Sequence, residues 1–154
     1  MFSTELSYTL EAAFREASTR HHQFFCLEHL LYALLFDGEI QDVIVHCGGD
    51  VQALRNELEN FFKEHLDSTA VNESHGEPIQ TPAVQRVLQR AIIHMHSSGK
   101  EFITGKDVFI ALYGEEESHA VYFLLQQEIT RLDAINYISH GVSQVDEDFI
   151  DEDD

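Results

Sequence analysis

Residues 24–35, FFCLEHLLYALL, and residues 102–113, FITGKDVFIALY, are two versions of one segment, 78 positions apart. The shift sets apolar residues opposite apolar residues along both stretches. It also aligns the preceding segments, where Leu6, Leu10, Ala13, Phe14 and Ala17 match Val84, Leu88, Ala91, Ile92 and Met95. An internal repeat of this size indicates a duplicated supersecondary unit whose copies share one hydrophobic core. Such a core is more typical of a binding protein than of an enzyme.

The spacing of apolar residues predicts four helices in each copy. The first helix is capped by Ser3, repeats its apolar residues at the helical period and ends near His21. The second is apolar on most of its surface, which is typical of a buried helix. Capping residues and glycines place the helices at about 3–21, 26–36, 40–46, 50–62, 81–97 and 118–126, with two more beginning at Thr104 and Thr130.

Two groups of four helices, without alternating β-branched runs, predict an all-α fold in a single domain. We assign residues 1–142 to this domain, with repeat one at about 1–66 and repeat two at about 81–142. The linker between them, 67–80, lacks apolar periodicity and contains Gly, Pro and small polar residues. Residues 143–154 are strongly acidic, and we expect an acidic flexible linker or tail there.

The charge of the chain indicates which partners it suits. The net charge is −19, and 21 acidic against 9 basic residues remain when the seven acidic residues of 146–154 are left aside. Nucleic-acid binding is therefore excluded, because it needs a basic face, whereas basic or polar protein partners are accommodated. No apolar run approaches the roughly 20 residues of a membrane span, and no targeting segment is present.

The two cysteines, Cys26 and Cys47, lie in apolar-periodic segments without CxxC spacing. Buried, reduced thiols are the expected state. Because reduced thiols suit a reducing compartment, and because targeting signals are lacking, we predict a soluble cytoplasmic protein.

The sequence contains residues that could support chemistry, but not in the required patterns. Ten histidines are present, yet none has HExxH or CxxC spacing, so we predict no metal site. The chain also lacks a GxSxG nucleophile turn and a phosphate-binding P-loop. We therefore expect no catalytic residues and no cofactor in this domain.

Three segments resemble the N-terminal domains of the Clp ATPase family, of the ClpA type. They are Glu28–Leu35, Gln85–Ala91 and Asn136–Gly141, and the likeness covers residues 1–142. The resemblance implies a pseudo-twofold pair of four-helix repeats. In the family this domain precedes two AAA+ ATPase modules, which this chain lacks and which bind ATP and Mg²⁺ in the full-length subunit.

The resemblance also implies a function. ClpA hexamers unfold proteins and pass them to the ClpP peptidase, while the N domain docks the adaptor ClpS, which delivers substrates with destabilising N-terminal residues. This chain is therefore expected to be a non-catalytic docking domain for a ClpS-type adaptor and for protein substrates. Hexamer formation belongs to the ATPase modules, so the isolated domain is expected to be a monomer.

The family's adaptor face lies near the turn after the first helix and at the start of the second repeat. On this sequence those positions are His22, Gln23, Glu28 and Thr81. Gln23 stands where the family pattern has a carboxylate, which leaves a hydrogen bond rather than an ion pair as the available contact. Glu28 has a second interpretation, as a first-turn carboxylate that stabilises its own helix.

Three arginines stand out because basic residues are scarce. Arg86 and Arg90 are one helical turn apart and therefore share a face. They could pair with carboxylates of the domain, or they could recognise acidic groups or carbonyls of a partner. The resemblance assigns Arg86, Arg90 and Arg131 to a peptide-contacting surface in the groove between the repeats.

A second functional class is a free-standing chaperone-like module. In that interpretation the groove between the repeats covers exposed apolar segments of client proteins.

Overall fold

The computed structural model describes residues 1–67 and 77–145. In these residues the chain forms helices α1 (Thr4–Thr19), α2 (Leu27–Leu34), α3 (Gly38–His46), α4 (Val51–Phe61), α5 (Pro82–Ser98), α6 (Gly105–Leu112), α7 (His119–Gln126) and α8 (Arg131–His140). A π-helical segment, Phe62–Leu66, continues α4. Two short strands, β1 (Phe24–Phe25) and β2 (Ile79–Gln80), complete the described elements. The predicted all-α class and the eight helices are confirmed.

The first two helices of each repeat begin at equivalent positions. Both ends of α6 lie 78 positions after those of α2, and α5 begins 78 positions after α1. The caps are also related, because the Ser3 hydroxyl accepts from the Leu6 amide and the Thr81 hydroxyl accepts from the Val84 amide. Local sequence therefore sets the start of the first helix in the same way in both copies.

Each repeat begins by pairing with the other repeat. β1 and β2 are parallel, with Phe25 opposite Gln80. An isolated parallel bridge joins Phe2 to Ile103, and these positions are related to Gln80 and Phe25 by the 78-residue shift. The segment before the first helix of each repeat thus pairs with the segment before the second helix of the other. The sequence analysis missed both pairings, because strands of one or two residues have no periodicity.

The helices also cross between the repeats. Helix α3 packs against α6 and α8, and α7 packs against α2 and α4. At the start of α7, the buried Glu28 Oε2 accepts a hydrogen bond from the Ala120 amide at 3.0 Å. At the start of α3, the equivalent Lys106 Nζ lies 4.0 Å from Glu39 Oε2. Each second helix therefore supports the third helix of the other repeat.

The core follows the predicted apolar pattern. Helix α2 is buried on all but one of its positions, as expected for a central helix. The stripes of α1 and α5 point inward through Leu6, Ala13, Ala17, Val84, Val87, Ala91 and Met95. Both cysteines are free thiols, as predicted, but only Cys47 is buried, whereas Cys26 is half-buried.

The predicted linker and tail are ordered where the structure describes them. Asp67 binds His22, and the last two linker residues form β2. In the predicted tail, the Gln144 amide donates to the His46 carbonyl at 2.7 Å, so this segment lies against the end of α3. The rest of both predictions, residues 68–76 and 146–154, lies outside the described residues.

One residue at the end of α1 adopts a left-handed backbone conformation that favours glycine. His21 has φ of 61°, and the equivalent position after α5 is Gly99, with φ of 75°. A non-glycine residue in this region carries a steric cost. At this position repeat one therefore carries backbone strain that Gly99 relieves in repeat two.

We expect His21→Gly to raise the free energy of unfolding by about 0.5–1 kcal/mol, because relief of the left-handed strain exceeds the added entropy of the unfolded chain. Urea denaturation followed by circular dichroism measures the change. Gly99→Ala is the matched control, and it should destabilise the domain by about 1 kcal/mol. A His21→Gly domain less stable than wild type would contradict the assignment of backbone strain to His21.

Candidate docking face

The parallel strand pair brings two of the predicted adaptor-binding residues together. The Gln23 carbonyl accepts from the Ile79 amide at 3.0 Å, and the Thr81 amide donates to the Phe25 carbonyl at 3.1 Å. Gln23 is exposed and Thr81 is half-buried. The Thr81 hydroxyl already accepts from the Val84 amide at 3.4 Å, which leaves its hydrogen available to a partner.

The strands also present an apolar pair that the sequence analysis missed. Phe24 and Ile79 are directly opposite in the register and are 44% and 58% exposed. The neighbouring Phe25 is buried, with its ring edge-on to Phe14 at a centroid distance of 5.9 Å. Alternation along β1 therefore fixes Phe24 outward. We call Gln23, Phe24, Ile79, Gln80 and Thr81 the strand-pair face.

A groove of about 460 Å³ adjoins the strand-pair face along α5. Its apolar lining includes Leu88 and Ile92 from repeat two and Phe2 from repeat one, so residues of both repeats contribute to it. Its polar lining includes Gln80 and Arg86. The strand-pair face and the groove therefore share Gln80 and form one continuous surface.

His22 lies beneath this surface rather than on it. His22 is only 2% exposed. The Nδ1 atom lies 2.9 Å from His29 Nε2, and the Nε2 atom lies 2.7 Å from Asp67 Oδ1. A partner reaches the imidazole only if this segment opens. His22 thus holds the start of β1 in place.

Glu28 is also buried, at 6% exposure. Its carboxylate accepts from the Ala120 amide at the first turn of α7, where a negative charge complements the helix dipole. The sequence analysis considered a partner contact and a role in the first turn of its own helix. The structure shows a bond to a helix of the other repeat, which no local pattern in the sequence indicates.

Two of the three arginines are paired within the domain. Arg86 binds both carboxylate oxygens of Glu115, at 2.6 and 3.1 Å, and Arg90 binds Glu115 Oε2 at 3.0 Å and the Ala111 carbonyl at 2.9 Å. The hydrogen bonds from Arg86, then from Arg90, lower the pKa of Glu115. This is the internal pairing that the sequence left open. Arg131 is exposed at the start of α8 and does not line the groove.

The chemistry of the described residues gives no support to a nucleophile. Burial, and then the charge of Glu28, raise the pKa of the Cys26 thiol well above its usual range, so the thiol stays protonated. Within residues 1–67 and 77–145, no three His, Cys, Asp or Glu side chains are grouped so as to hold a metal ion. In the same residues no helix is long and apolar enough to cross a membrane.

Several solved structures share the fold. The N-terminal domain of Hsp104 from Candida albicans superimposes with a TM-score of 0.74 at 11% identity, over 90% of this chain and 91% of that chain. The N-domain of ClpV from Vibrio cholerae gives 0.69 at 20% identity, over 93% and 87%. A ClpV N-domain in complex with a VipB peptide gives 0.69 at 19% identity, over 93% and 89%. The chain therefore has the fold of Clp-type N-terminal domains.

The sequence comparisons identify the family. The sequence pattern of the Clp repeat N-terminal domain matches residues 1–127. A ClpA homolog protein from Fuscovulum blasticum is 40% identical over 143 residues, which are 93% of this chain and 18% of that relative. The chain belongs to the Clp repeat N-terminal domain family, and it spans less than a fifth of the length of that relative.

We expect Glu28→Ala to lower the free energy of unfolding by about 1.5–3 kcal/mol, because it removes a charged acceptor and leaves the Ala120 amide buried without its partner. Urea denaturation in the absence of any partner measures this loss. Glu28→Gln should recover part of it, since the amide oxygen can still accept. Glu116→Ala, at an exposed position, is the control and should change stability by less than about 0.5 kcal/mol. Equal stabilities of Glu28→Ala and Glu116→Ala would contradict the role of Glu28.

Proposed function

We propose that this domain docks a ClpS-type adaptor on the strand-pair face and thereby delivers protein substrates to a ClpA-like, ATP-dependent unfoldase. One observation carries the proposal: Phe24 and Ile79 form an exposed apolar pair between Gln23 and Thr81. The family resemblance assigns Gln23 and Thr81 to the adaptor face. The domain itself is non-catalytic in this proposal, because ATP and Mg²⁺ bind in the ATPase modules and ClpP cleaves the unfolded chain.

The composition of the face suits a protein partner. Protein interfaces place aromatic and aliphatic anchors at their centre and polar groups around them. Phe24 and Ile79 supply such a centre, while the side chains of Gln23 and Thr81 border it and can form hydrogen bonds. His22 and Glu28 act in this proposal as positioning residues, since both are buried and hold elements next to the face.

The groove along α5 extends the same surface and suits a peptide segment. Leu88 and Ile92 offer apolar contact, and Gln80 and Arg86 offer polar contact along its length. Glu115 keeps the Arg86 guanidinium in place through two hydrogen bonds. A related N-domain solved with a bound peptide supports a peptide-docking role for this fold.

The charge of the chain favours a basic or neutral partner. A net charge of −19 repels acidic proteins and speeds the encounter with basic ones. Docking then raises the local concentration of the bound substrate at the ATPase modules through tethering, with no chemical step in this domain.

We expect Phe24→Asp to weaken binding of a ClpS-type adaptor by at least about thirtyfold, because it places a desolvated charge at the centre of the interface. Isothermal titration of the domain with an adaptor from the same source measures the affinity. A one-to-one complex with the wild-type domain is expected.

Phe102→Asp is the matched control. Phe102 is the equivalent of Phe24 in the other repeat and is 56% exposed, but it lies next to the other strand bridge. The affinity of the Phe102→Asp domain for the adaptor should stay within about twofold of wild type. A folded Phe24→Asp domain that binds as tightly as wild type would reject the strand-pair face as the docking site.

The second candidate is a free-standing chaperone-like module that uses the apolar part of the groove. Phe2, Leu88 and Ile92 are the groove residues that favour it. If it is correct, the isolated domain suppresses aggregation of a model client, and the suppression is lost when Ile92 is replaced by Glu. No suppression at molar excess would remove this candidate.

A further inference from the structure

Repeat one closes the start of α2 with a pair of histidines. The Cys26 amide donates to His29 Nδ1 at 3.1 Å, and His29 Nε2 lies 2.9 Å from His22 Nδ1. The other nitrogen of His22 lies 2.7 Å from Asp67 Oδ1. We call His22, His29 and Asp67 the histidine cluster. It joins three segments: the turn before β1, the first turn of α2 and the end of the π-helical segment.

Repeat two closes the start of α6 with an ion pair at the equivalent positions. The Thr104 amide donates to Asp107 Oδ2 at 2.9 Å, and Lys100 Nζ donates to Asp107 Oδ1 at 2.7 Å. Lys100 and Asp107 are 78 positions after His22 and His29. The two repeats therefore use the same geometry with different chemistry. One closure consists of imidazoles and the other of groups that stay charged at neutral and mildly acidic pH.

The hydrogen bonds of the cluster require both imidazoles to be neutral. An amide can only donate, so His29 Nδ1 accepts from Cys26 and the proton of His29 is on Nε2. That proton is donated to His22 Nδ1. The proton of His22 is therefore on Nε2, where it is donated to Asp67. In this arrangement, assigned from the hydrogen-bond network, every donor meets an acceptor.

A further proton on either ring breaks this arrangement. On His29 it would occupy Nδ1, opposite the Cys26 amide, where the weakly accepting Cys26 Sγ atom at 3.3 Å is the remaining partner. On His22 it would occupy Nδ1, opposite the His29 Nε2–H group. Both positions place a donor against a donor. Both rings are also buried, and His29 stacks on Phe62 at a centroid distance of 5.0 Å. Burial, followed by the neighbouring His22 and Arg20, lowers the pKa of His29 to about 3.

The charged groups around the cluster do not offset this cost at His29. Arg20 from α1 is paired with Glu16 and Glu59, so its charge is largely balanced. Asp67 contacts His22 rather than His29, and its side chain is 46% exposed, so its field is screened by water. The remaining titratable groups on the elements around the cluster are Cys26, Glu28 and Tyr32 on α2, and Lys63, Glu64 and His65 on the π-helical segment. Glu28 is bonded to Ala120 and Tyr32 to Glu59.

We propose that the histidine cluster is an acid-sensitive switch: protonation below about pH 6.5 favours an open state in which the segment 22–29 has separated from the π-helical segment and the strand-pair face is released. The face is affected because His22 directly precedes Gln23 and Phe24. The opening follows from the cluster alone, whereas the loss of docking rests on the proposed function.

The direction of the pH dependence follows from proton linkage. A histidine in the open segment has a pKa near 6.5, above that of His29 in the closed one. The closed state is therefore fully stable above about pH 6.5 and loses stability as the pH falls below that value, because the open state binds the proton. For one histidine, the opening equilibrium constant rises about thirtyfold between neutral pH and pH 5.

Hydrogen exchange of the wild-type domain tests the opening without any partner. After correction for intrinsic exchange rates, protection of the amides of 22–29 should fall about thirtyfold between neutral pH and pH 5. Protection at 100–107, the equivalent segment of repeat two, should stay nearly constant. Equal changes in the two segments, or none, would overturn the switch. A titration of the imidazole signals by NMR must give a pKa for His29 well below 6.5, or the switch is rejected.

The double variant His22→Lys with His29→Asp transfers the ion pair of repeat two into repeat one. We expect it to keep protection at 22–29 constant over the same pH range. An unchanged thirtyfold loss in a folded variant would overturn the role of the histidines. Should this variant not fold, Asp67→Asn serves instead. It retains an acceptor for His22 but removes a negative charge that would stabilise a protonated closed state. A folded variant must therefore lose at least as much protection at 22–29 between neutral pH and pH 5 as wild type does, and a smaller loss overturns the role of the cluster.

Adaptor titrations at neutral pH and at about pH 5 test the docking part separately. Affinity should fall with pH for the wild-type domain and stay constant for the double variant. If exchange shows the opening but affinity is independent of pH, regulation of docking is rejected while the switch stands. If no adaptor binds at any pH, the proposed function fails and the exchange result still decides the switch.

Discussion

Reciprocal pairing between the repeats is the constraint on which the rest of the structure depends. The segment that begins each repeat forms a parallel bridge with the segment before the second helix of the other, through Phe25–Gln80 and Phe2–Ile103. Glu28 then caps a helix of the second repeat from within the first. The two repeats therefore share one core, and the strand-pair face exists only where they meet.

The two repeats differ in the residues that close the start of their second helices. Lys100 and Asp107 close repeat two with an ion pair, whereas His22 and His29 close repeat one with neutral rings. His21 keeps a left-handed conformation that Gly99 adopts without strain. These three residues of repeat one lie in the turn before β1 and in the first turn of α2, beside the candidate docking face. Regions that bind partners are commonly drawn from the less stable parts of a fold.

Much of the fold could be predicted because helix starts and apolar stripes are local properties. Ser3 and Thr81 cap their helices, and α2 is buried as its apolar composition indicates. The candidate site was predicted less completely. Gln23 and Thr81 come together on the strand pair, but His22 and Glu28 are buried and Phe24 was not recognised. Burial of a polar side chain depends on distant partners such as Asp67 and Ala120, which no local pattern specifies.

The sequence by itself determined that the chain is duplicated, helical, acidic and free of catalytic motifs, because these properties depend on residue types at short spacing. Only the tertiary structure decided how the segment before the first helix of each copy pairs with the segment before the second helix of the other, and which arginines pair with Glu115. It also decided that Phe24 points outward beside Ile79 while Phe25 points inward. Backbone pairing between segments more than fifty residues apart fixes these side chains. The entropic cost of closing such long loops is offset only by the assembled core. The pairing is therefore specified by residues throughout the domain rather than by any one segment.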